Sequence, residues 1–461
     1  MKYPVYEQYK DSGVAWLGEV PVHWEIARVK HCADTISKGT TPSTEGLEFI
    51  SSGPVRFIKA ENIDAGRISD TPLYFIDEKT NNVLKRSQLA ENDVLLVIAG
   101  ATIGKTAIVR KKHLPANTNQ AVSFIRPNIK SSSSFLEFWF HSSVANEVVW
   151  LNAVQSAQPN LAMGVLGNFF IPIPPIIEQE KIAAYLIQKT AQIDRLIEKE
   201  QALIAKLNEK RTALITRAVT KGLDESVPMK DSGVEWLGEV PVHWDTVKVR
   251  YCTGFITSGP RGWAKYFSND GALFIRIANL SRNSISLMLD DVQKVSPPLG
   301  AEGERTSTKS GDVLVSITAD LGSIAVVPDE CENSFISQHI AIVRPEQNRI
   351  LPKWLAFSYF SISGKAQLLC AGYGGTKIQL GLNDIKEVIL AFPESLDEQS
   401  KIIKSIEFKI SKIDELINKI NNVIKKLIEY RTALITAAVT GKIDVRNFKP
   451  NRKDKPAREA A

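Results

Sequence analysis

The sequence predicts an α+β protein: two mixed α/β domains separated by two long helices, the whole arranged as an internal repeat. Three observations lead there. Residues 10–24 (KDSGVAWLGEVPVHW) return at 230–244 with a single change, Ala15 to Glu235. Residues 176–216 contain no Gly and no Pro, and Pro174 and Pro175 stand just before them, where a helix can begin but not extend backwards. The ending RTALIT at Arg211 to Thr216 recurs at Arg431 to Thr436, so both repeats share an offset of 220 residues.

The helices are read from their apolar spacing. Ile182, Leu186, Ile193, Ile197, Ile204, Leu207 and Leu214 form a three-four pattern that lays a narrow stripe along one face. Ile402, Ile406, Ile410, Ile413, Ile417, Ile420, Ile424, Leu427 and Leu434 repeat it. Each stripe needs a partner, and the other helix supplies one. Ile193, Ile197, Ile204, Leu207 and Leu214 against Ile413, Ile417, Ile420, Ile424, Leu427 and Leu434 are the expected contact set. At 1.5 Å per residue each rod is about 60 Å long, a rigid spacer.

The expected segments are a first domain at 1–175, a first spacer helix at 176–220, a second domain at 221–395, a second spacer helix at 396–440 and a basic flexible tail at 441–461. Within each domain the residues before the helix are strand-rich. Val94–Ala99, Thr106–Val109, Val122–Ile125 and Phe170–Ile173 are short β-branched runs, and Val313–Ile317, Ile324–Val327 and Ile340–Val343 repeat the pattern. Phe135–Val149 and Trp354–Leu369 carry bulky residues at helical spacing, and each predicts one helix. Trp16, Trp24, Trp236 and Trp244 belong to the repeated frame and read as packing residues. The middles of the halves have diverged while their ends have not, as expected for one scaffold presenting two different recognition surfaces.

Bulk properties narrow the class. At 461 residues the chain exceeds one core. No apolar run approaches the roughly 20 residues of a membrane span, and the start lacks a signal-peptide core, so a cytoplasmic location without membrane contact is expected. Cys32, Cys252, Cys331 and Cys370 are widely spread, and neither a disulfide framework nor a metal site is expected. The net charge of +6 divides into +1, +2, −3, +2 and +4 over the five segments. Composition alone therefore does not point to nucleic acid.

Catalytic motifs were sought and none is expected. Ala99–Thr106 (AGATIGKT) resembles a phosphate-binding loop, but the first Gly is missing and the following AIVRKKHLP is not helical. Gly104 and Gly322 read better as a tight turn between strands. Ile173–Ile176 (IPPI) lacks the polar and aromatic partners of an adenine methyltransferase motif. His23 and His243, repeated in PVHW, read as capping or packing residues. Polar residues able to reach base edges or phosphates cluster in corresponding turns. In the first half these are Lys38, Thr40, Thr41, Arg56, Lys59, Asn62, Lys105, Asn119, Gln120, Gln158 and Asn160; in the second, Ser258, Arg261, Trp263, Lys265, Arg276, Asn279, Gln338, His339, Lys377 and Gln379.

Taken together, the DSGVxWLGEVPxHW opening segment, the helix start with Glu178, Lys181, Ile182, Leu186, Ile193 and Asp194, and the RTALI ending resemble the specificity (S) subunits of type I restriction-modification systems. The resemblance covers the chain apart from the tail. It implies a non-catalytic subunit with two target recognition domains, each reading one half of a bipartite, asymmetric double-stranded DNA target. It further implies antiparallel helices that set the unread gap, a pseudo-twofold ring whose ends meet, and no cofactor in this chain. Two methylation subunits using S-adenosylmethionine and two restriction subunits using ATP and Mg are the implied partners. The competing readings are a coiled-coil adaptor that binds only proteins, and a nucleotide- or S-adenosylmethionine-dependent enzyme.

Overall fold

The computed structural model describes residues 3–64, 66–154, 159–297, 300–374 and 378–449. The chain forms two compact units, one of residues 1–199 with 422–461 and one of residues 200–421. Compactness thus cuts both long helices, Ile176–Lys221 and Leu396–Val439, and does not follow the five consecutive segments expected from sequence.

Unit 1 is built on a four-stranded antiparallel sheet. Its strands are β1 (Ala33–Lys38), β3 (Val94–Val97), β4 (Thr106–Ile108) and β6 (Val122–Pro127), in the order β4-β3-β6-β1. A second sheet places β5 (Ala116–Thr118) parallel to β2 (Val55–Ile58), with Phe75–Ile76 antiparallel on the other side. Val94–Val97 is buried at every position because both faces are covered. Helix α1 (Ser133–His141) and helix α2 (Ser143–Asn152) follow. The sequence predicts one helix here, but Ser142 adopts an extended conformation and its hydroxyl accepts from Ala145 N, so it caps a new helix.

Unit 2 repeats the plan. Strands β7 (Thr253–Ser258), β9 (Val313–Ser316), β10 (Ile324–Val326) and β12 (Ile340–Pro345) pair in the order β7-β12-β9-β10. Strand β8 (Ala272–Ile275) lies parallel to β11 (Phe335–Ile336). Helices α3 (Pro352–Phe360) and α4 (Ile362–Ala371) again break the single predicted helix, with Ser361 as the cap.

The repeated frame explains itself through buried polar clamps. In unit 1 the Glu178 carboxylate accepts from Tyr6 Oη at 2.6 Å and Trp24 Nε1 at 3.0 Å, and lies 2.8 Å from His23 Nε2. In unit 2 Glu398 accepts from Trp244 Nε1 at 2.9 Å and meets His243 at 3.1 Å. The histidines are packing residues, as read. Burial, and then the Glu178 carboxylate, pushes the Tyr6 hydroxyl far above the ordinary phenol range. Gln179 and Gln399, fully buried, each bond three backbone groups that would otherwise be orphaned. Trp24 and Trp244 are core residues, but Trp16 and Trp236 are exposed, which corrects the reading of all four as packing residues.

In each unit the parts of the two long helices run antiparallel. Unit 1 joins Lys181 to the Arg446 carbonyl and Arg431 to Asp194; unit 2 joins Arg211 to Asp414. Asp414 and Arg431 stand 220 residues after Asp194 and Arg211, so each unit carries the same clasp. Ile193, Ile413 and Leu434 are buried, while Ile197, Ile204, Leu207, Leu214, Ile417, Ile420, Ile424 and Leu427 are half-buried. Unit 1 leaves Leu196 and Val423 exposed on these helices, and unit 2 leaves the equivalent Leu416 and Leu203 exposed.

The tail differs from expectation. Ile443 and Val445 are buried in the unit 1 core, Phe448 meets the Tyr185 ring edge-on at 5.0 Å, and Asp444 N donates to the Pro4 carbonyl at 2.8 Å. Residues 441–449 are therefore part of unit 1, because two apolar side chains among many charges suffice to anchor the segment. Residues 450–461 lie outside the described set.

Candidate nucleic-acid interface

Four loops meet at one edge of each unit. In unit 1, Gly39 N donates to the Asn119 carbonyl at 3.1 Å, Ile98 N to Ala121 at 2.8 Å, Gly100 N to Pro159 at 2.9 Å and Leu161 N to Ile98 at 2.8 Å. In unit 2, Gly259 N donates to Ile340 at 3.2 Å, Ile317 N to His339 at 2.9 Å and Leu380 N to Ile317 at 2.9 Å. Glycine is required at the crossing. A Cβ on Gly39 would sit 1.8 Å from the Thr118 carbonyl oxygen, and one on Gly259 would sit 2.2 Å from that of Ser337.

The edge gathers many of the residues singled out from sequence. Lys38, Thr40, Thr41, Lys105, Asn119, Gln120 and Asn160 lie on these loops in unit 1, with Thr41 hydrogen-bonded to Gln120. Ser258, Arg261, Gln338, His339 and Gln379 lie on them in unit 2, and His339 Nδ1 is 2.5 Å from Thr318 Oγ1. Arg261, Gln338, Gln120, Asn160 and Gln379 are exposed.

Other expected contacts are spoken for inside the protein. Asn62 and Asn279 are buried, and each side-chain amide ties a short helical turn to the loop beyond it. Both are corrected from base contacts to loop supports. Trp263 is also a correction: its ring stacks on Phe274 in a small core, with 3% of its surface exposed. Lys59 stands over the Tyr74 ring at 3.4 Å and Phe49 at 4.5 Å, Lys265 stands over Tyr266 at 4.9 Å, Arg56 pairs with Asp70 at 2.7 Å, and Arg276 pairs with Asp291 at 2.9 Å. Gln158 and Lys377 lie outside the described residues.

The β3-β4 turn and the β9-β10 turn project at this edge, each tethered by an ion pair of opposite polarity. In unit 1 the turn supplies the cation, with Lys105 Nζ 2.8 Å from Asp64; in unit 2 it supplies the anion, with Asp320 2.9 Å from Arg282 Nε. Burial would raise the Asp320 carboxyl, but hydrogen bonds from Arg282 and Ser323 hold it below the usual carboxylate range. Sequence reading missed Arg282 and Asp320, since the likeness of the halves draws attention to identical residues and hides a reversed pair. The AGATIGKT stretch enters strand β4 at Thr106 and opens no helix, consistent with a turn. Among the described residues no group of His, Cys, Asp and Glu is placed to hold a metal ion, and no helix is long and apolar enough to cross a membrane.

Comparison with known proteins gives one consistent family. The family described as Type I restriction modification DNA specificity domain matches residues 21–209 and 274–426. A putative type I restriction enzyme MjaX specificity subunit from Methanocaldococcus jannaschii is 22% identical over 442 residues, covering 93% of this chain and 96% of that protein. The type I restriction enzyme EcoKI specificity subunit of Escherichia coli (strain K12) is 22% identical over 443 residues, covering 92% and 90%. A chain solved in work on complex assembly and conformational transition of the type I R-M system superposes with a TM-score of 0.60 at 17% identity, over 91% of this chain and 98% of that one, which shows a shared fold.

Proposed function

The chain belongs to the type I restriction modification DNA specificity family, and from that premise we propose that unit 1 and unit 2 each read one half of a bipartite DNA target. The protein is the specificity subunit of such a system and is not itself the catalyst. The observation that carries the division into halves is the loop edge built twice on one frame with different side chains, Lys105 and Gln120 in one unit and Asp320 and His339 in the other. Exposed loops on a rigid scaffold are where recognition resides. Base edges offer donors and acceptors that such polar groups distinguish.

The helices set the unread gap between half-sites, and their exposed faces receive partners. Leu196 and Val423 on unit 1, with their equivalents Leu416 and Leu203 on unit 2, present the same apolar pair twice. Two copies of one partner suit a duplicated surface, here two methylation subunits. Two restriction subunits complete the assembly. Methyl transfer from S-adenosylmethionine and ATP- and Mg-dependent cleavage belong to those partners, in the cytoplasm.

Exchange of residues 25–175 for the matching segment of another family member, followed by methylome sequencing, tests the division. One half of the methylated motif changes and the other stays; an unchanged motif sinks the reading. Insertion of four residues near Asn208, about one helical turn, lengthens the unread gap, and an unaltered gap refutes the ruler.

A further inference from the structure

The two reading turns are held by different means. The β9-β10 turn of unit 2 is braced from within: Ser323 Oγ donates to Asp320 Oδ2 at 2.7 Å, Ser323 N donates to Ser316 Oγ at 2.8 Å, and Ser316 Oγ in turn bonds the Asp320 carbonyl. Arg282 and the Thr318–His339 contact add two outside ties. The β3-β4 turn of unit 1 is Ala99, Gly100, Ala101, Thr102, Ile103, Gly104 and Lys105. Among the described residues its side chains make one polar contact, Lys105 to Asp64, an exposed pair of little strength.

What unit 1 has instead lies beneath the turn. Thr106, the first residue after it and fully buried, is 2.7 Å from Nε2 of His141 at the end of α1. Glu137, also buried, stands one helical turn earlier on the same face. Strand β10 and helix α3 align residue for residue with β4 and α1, since Thr106 pairs with Leu96 as Ile324 pairs with Val315, and both helices have nine residues. At the three matching positions unit 2 has Ile324, Ala356 and Phe360, all buried and apolar. A buried polar set in place of a well-packed apolar one is not expected to add stability. A different use is therefore indicated.

We propose that His141, through Thr106, is the positioning residue for the DNA-reading turn of unit 1, replacing the internal brace of unit 2. The hydroxyl–imidazole bond fixes the start of β4 and so the direction in which Lys105, the adjacent residue, leaves the turn. The next residues carry the contact on to the long helix. Ser143 N donates to Thr436 Oγ1 at 2.9 Å, so the elbow that ends with His141 is bolted to the RTALIT ending. The same bolt, Ile362 N to Thr216 Oγ1 at 2.9 Å, is present in unit 2, where an apolar contact leads back to a turn that needs no support.

This inference rests on the reading that unit 1 selects one half-site. Its test uses the full chain assembled with its methylation and restriction partners, after the target has been read by methylome sequencing. The triple variant Thr106→Ile, Glu137→Ala, His141→Phe installs the unit 2 residues, and its thermal unfolding is expected at or above the wild-type temperature. Binding to duplexes altered at single bases is expected to lose about tenfold discrimination in one half-site, with the other half-site and the salt slope unchanged, since phosphate contacts are kept. His141→Gln, which retains an acceptor for Thr106, is expected to restore most of it. Thr106→Val gives the same answer should the triple variant not fold. Discrimination within twofold of wild type, or equal loss at both half-sites, overturns the proposal. Wild-type complex with no preference in either half-site would instead sink the division of reading between the units.

Discussion

Unit 1 is closed by chain ends that meet through non-covalent contacts, whereas unit 2 carries the corresponding elements on one uninterrupted stretch. In unit 2 the helix ends at Lys221, Gly222 turns with φ +73° against Trp244, and the opening segment follows at once. In unit 1 the helix ends at Val439, Gly441 turns with φ +72° against Pro21 and Trp24, and the opening segment belongs to the other end of the chain. The contacts are alike, so the frame is specified by packing and not by connectivity. Unit 1 adds ties that unit 2 does not need: Tyr9 Oη to the Gly441 carbonyl at 3.0 Å, Lys442 Nζ to the Glu19 carbonyl at 2.6 Å, and Tyr6 on Glu178. Joining free ends costs ordering entropy that a continuous chain avoids in part, and these bonds offset it.

The largest break in that comparison comes from truncation. Stopping the chain after Thr440 removes Ile443 and Val445 from the core and is expected to destabilise unit 1 by about 4 kcal/mol, leaving unit 2 unchanged. Hydrogen exchange resolved by unit checks this, with truncation after Lys449 as the control; equal loss of protection in both units would contradict it.

Next in size is the carboxylate clamp. Glu178→Ala strands the buried Tyr6 hydroxyl and Trp24 indole N–H, at about 3 kcal/mol for the two. Glu398→Ala costs about 1 kcal/mol, because it has fewer donors and its side chain is 32% exposed. Denaturant titration of the two variants measures the difference, and equal effects would show that Tyr6 adds nothing.

A pH step distinguishes the units more finely. Burial, and then the charges of Arg56 and Lys112, lowers the His113 imidazole to about 4, while the matching residue of unit 2 is Cys331, also buried. The folded state therefore binds the proton less readily than the unfolded chain, whose histidine titrates near 6.5. Stability contributed by neutral His113 is present above about pH 6.5 and is lost as pH falls from there towards 4. Unit 1 of the wild type is expected to weaken more between pH 7 and pH 5 than unit 1 of His113→Cys, and parallel curves would remove His113 as the cause.

The smallest effect is expected at the reversed tethers. Asp64→Ala and Arg282→Ala each remove an exposed ion pair and should change stability by less than about 1 kcal/mol. Salt-dependent unfolding reads this directly. A larger loss in either would mean that the turn relies on its tether.

Much of the architecture was legible because it depends on local pattern. The repeat at 220 residues, the strands around Val94, Val122, Val313 and Ile340, and the apolar stripe of the helices follow from periodicity, which survives without knowledge of neighbours. Breaks at Ser142 and Ser361 were not legible, since a serine within a bulky run signals a cap only once its partner, Ala145 or Gly364, is known to be in place. The site was read as a list of polar residues near turns. Which of them face outward was beyond that list, and Asn62, Asn279 and Trp263 proved to be internal.

By itself the sequence determined that one scaffold is used twice, that its long helices have matching apolar faces, and that its variable parts lie between constant ends. Tertiary structure alone decided that residues 441–449 close unit 1, that Arg282 and Asp320 mirror Asp64 and Lys105, and that Thr106 meets His141. Those pairs are separated by tens to hundreds of residues, and their chemistry exists only where folding brings the partners within hydrogen-bonding distance.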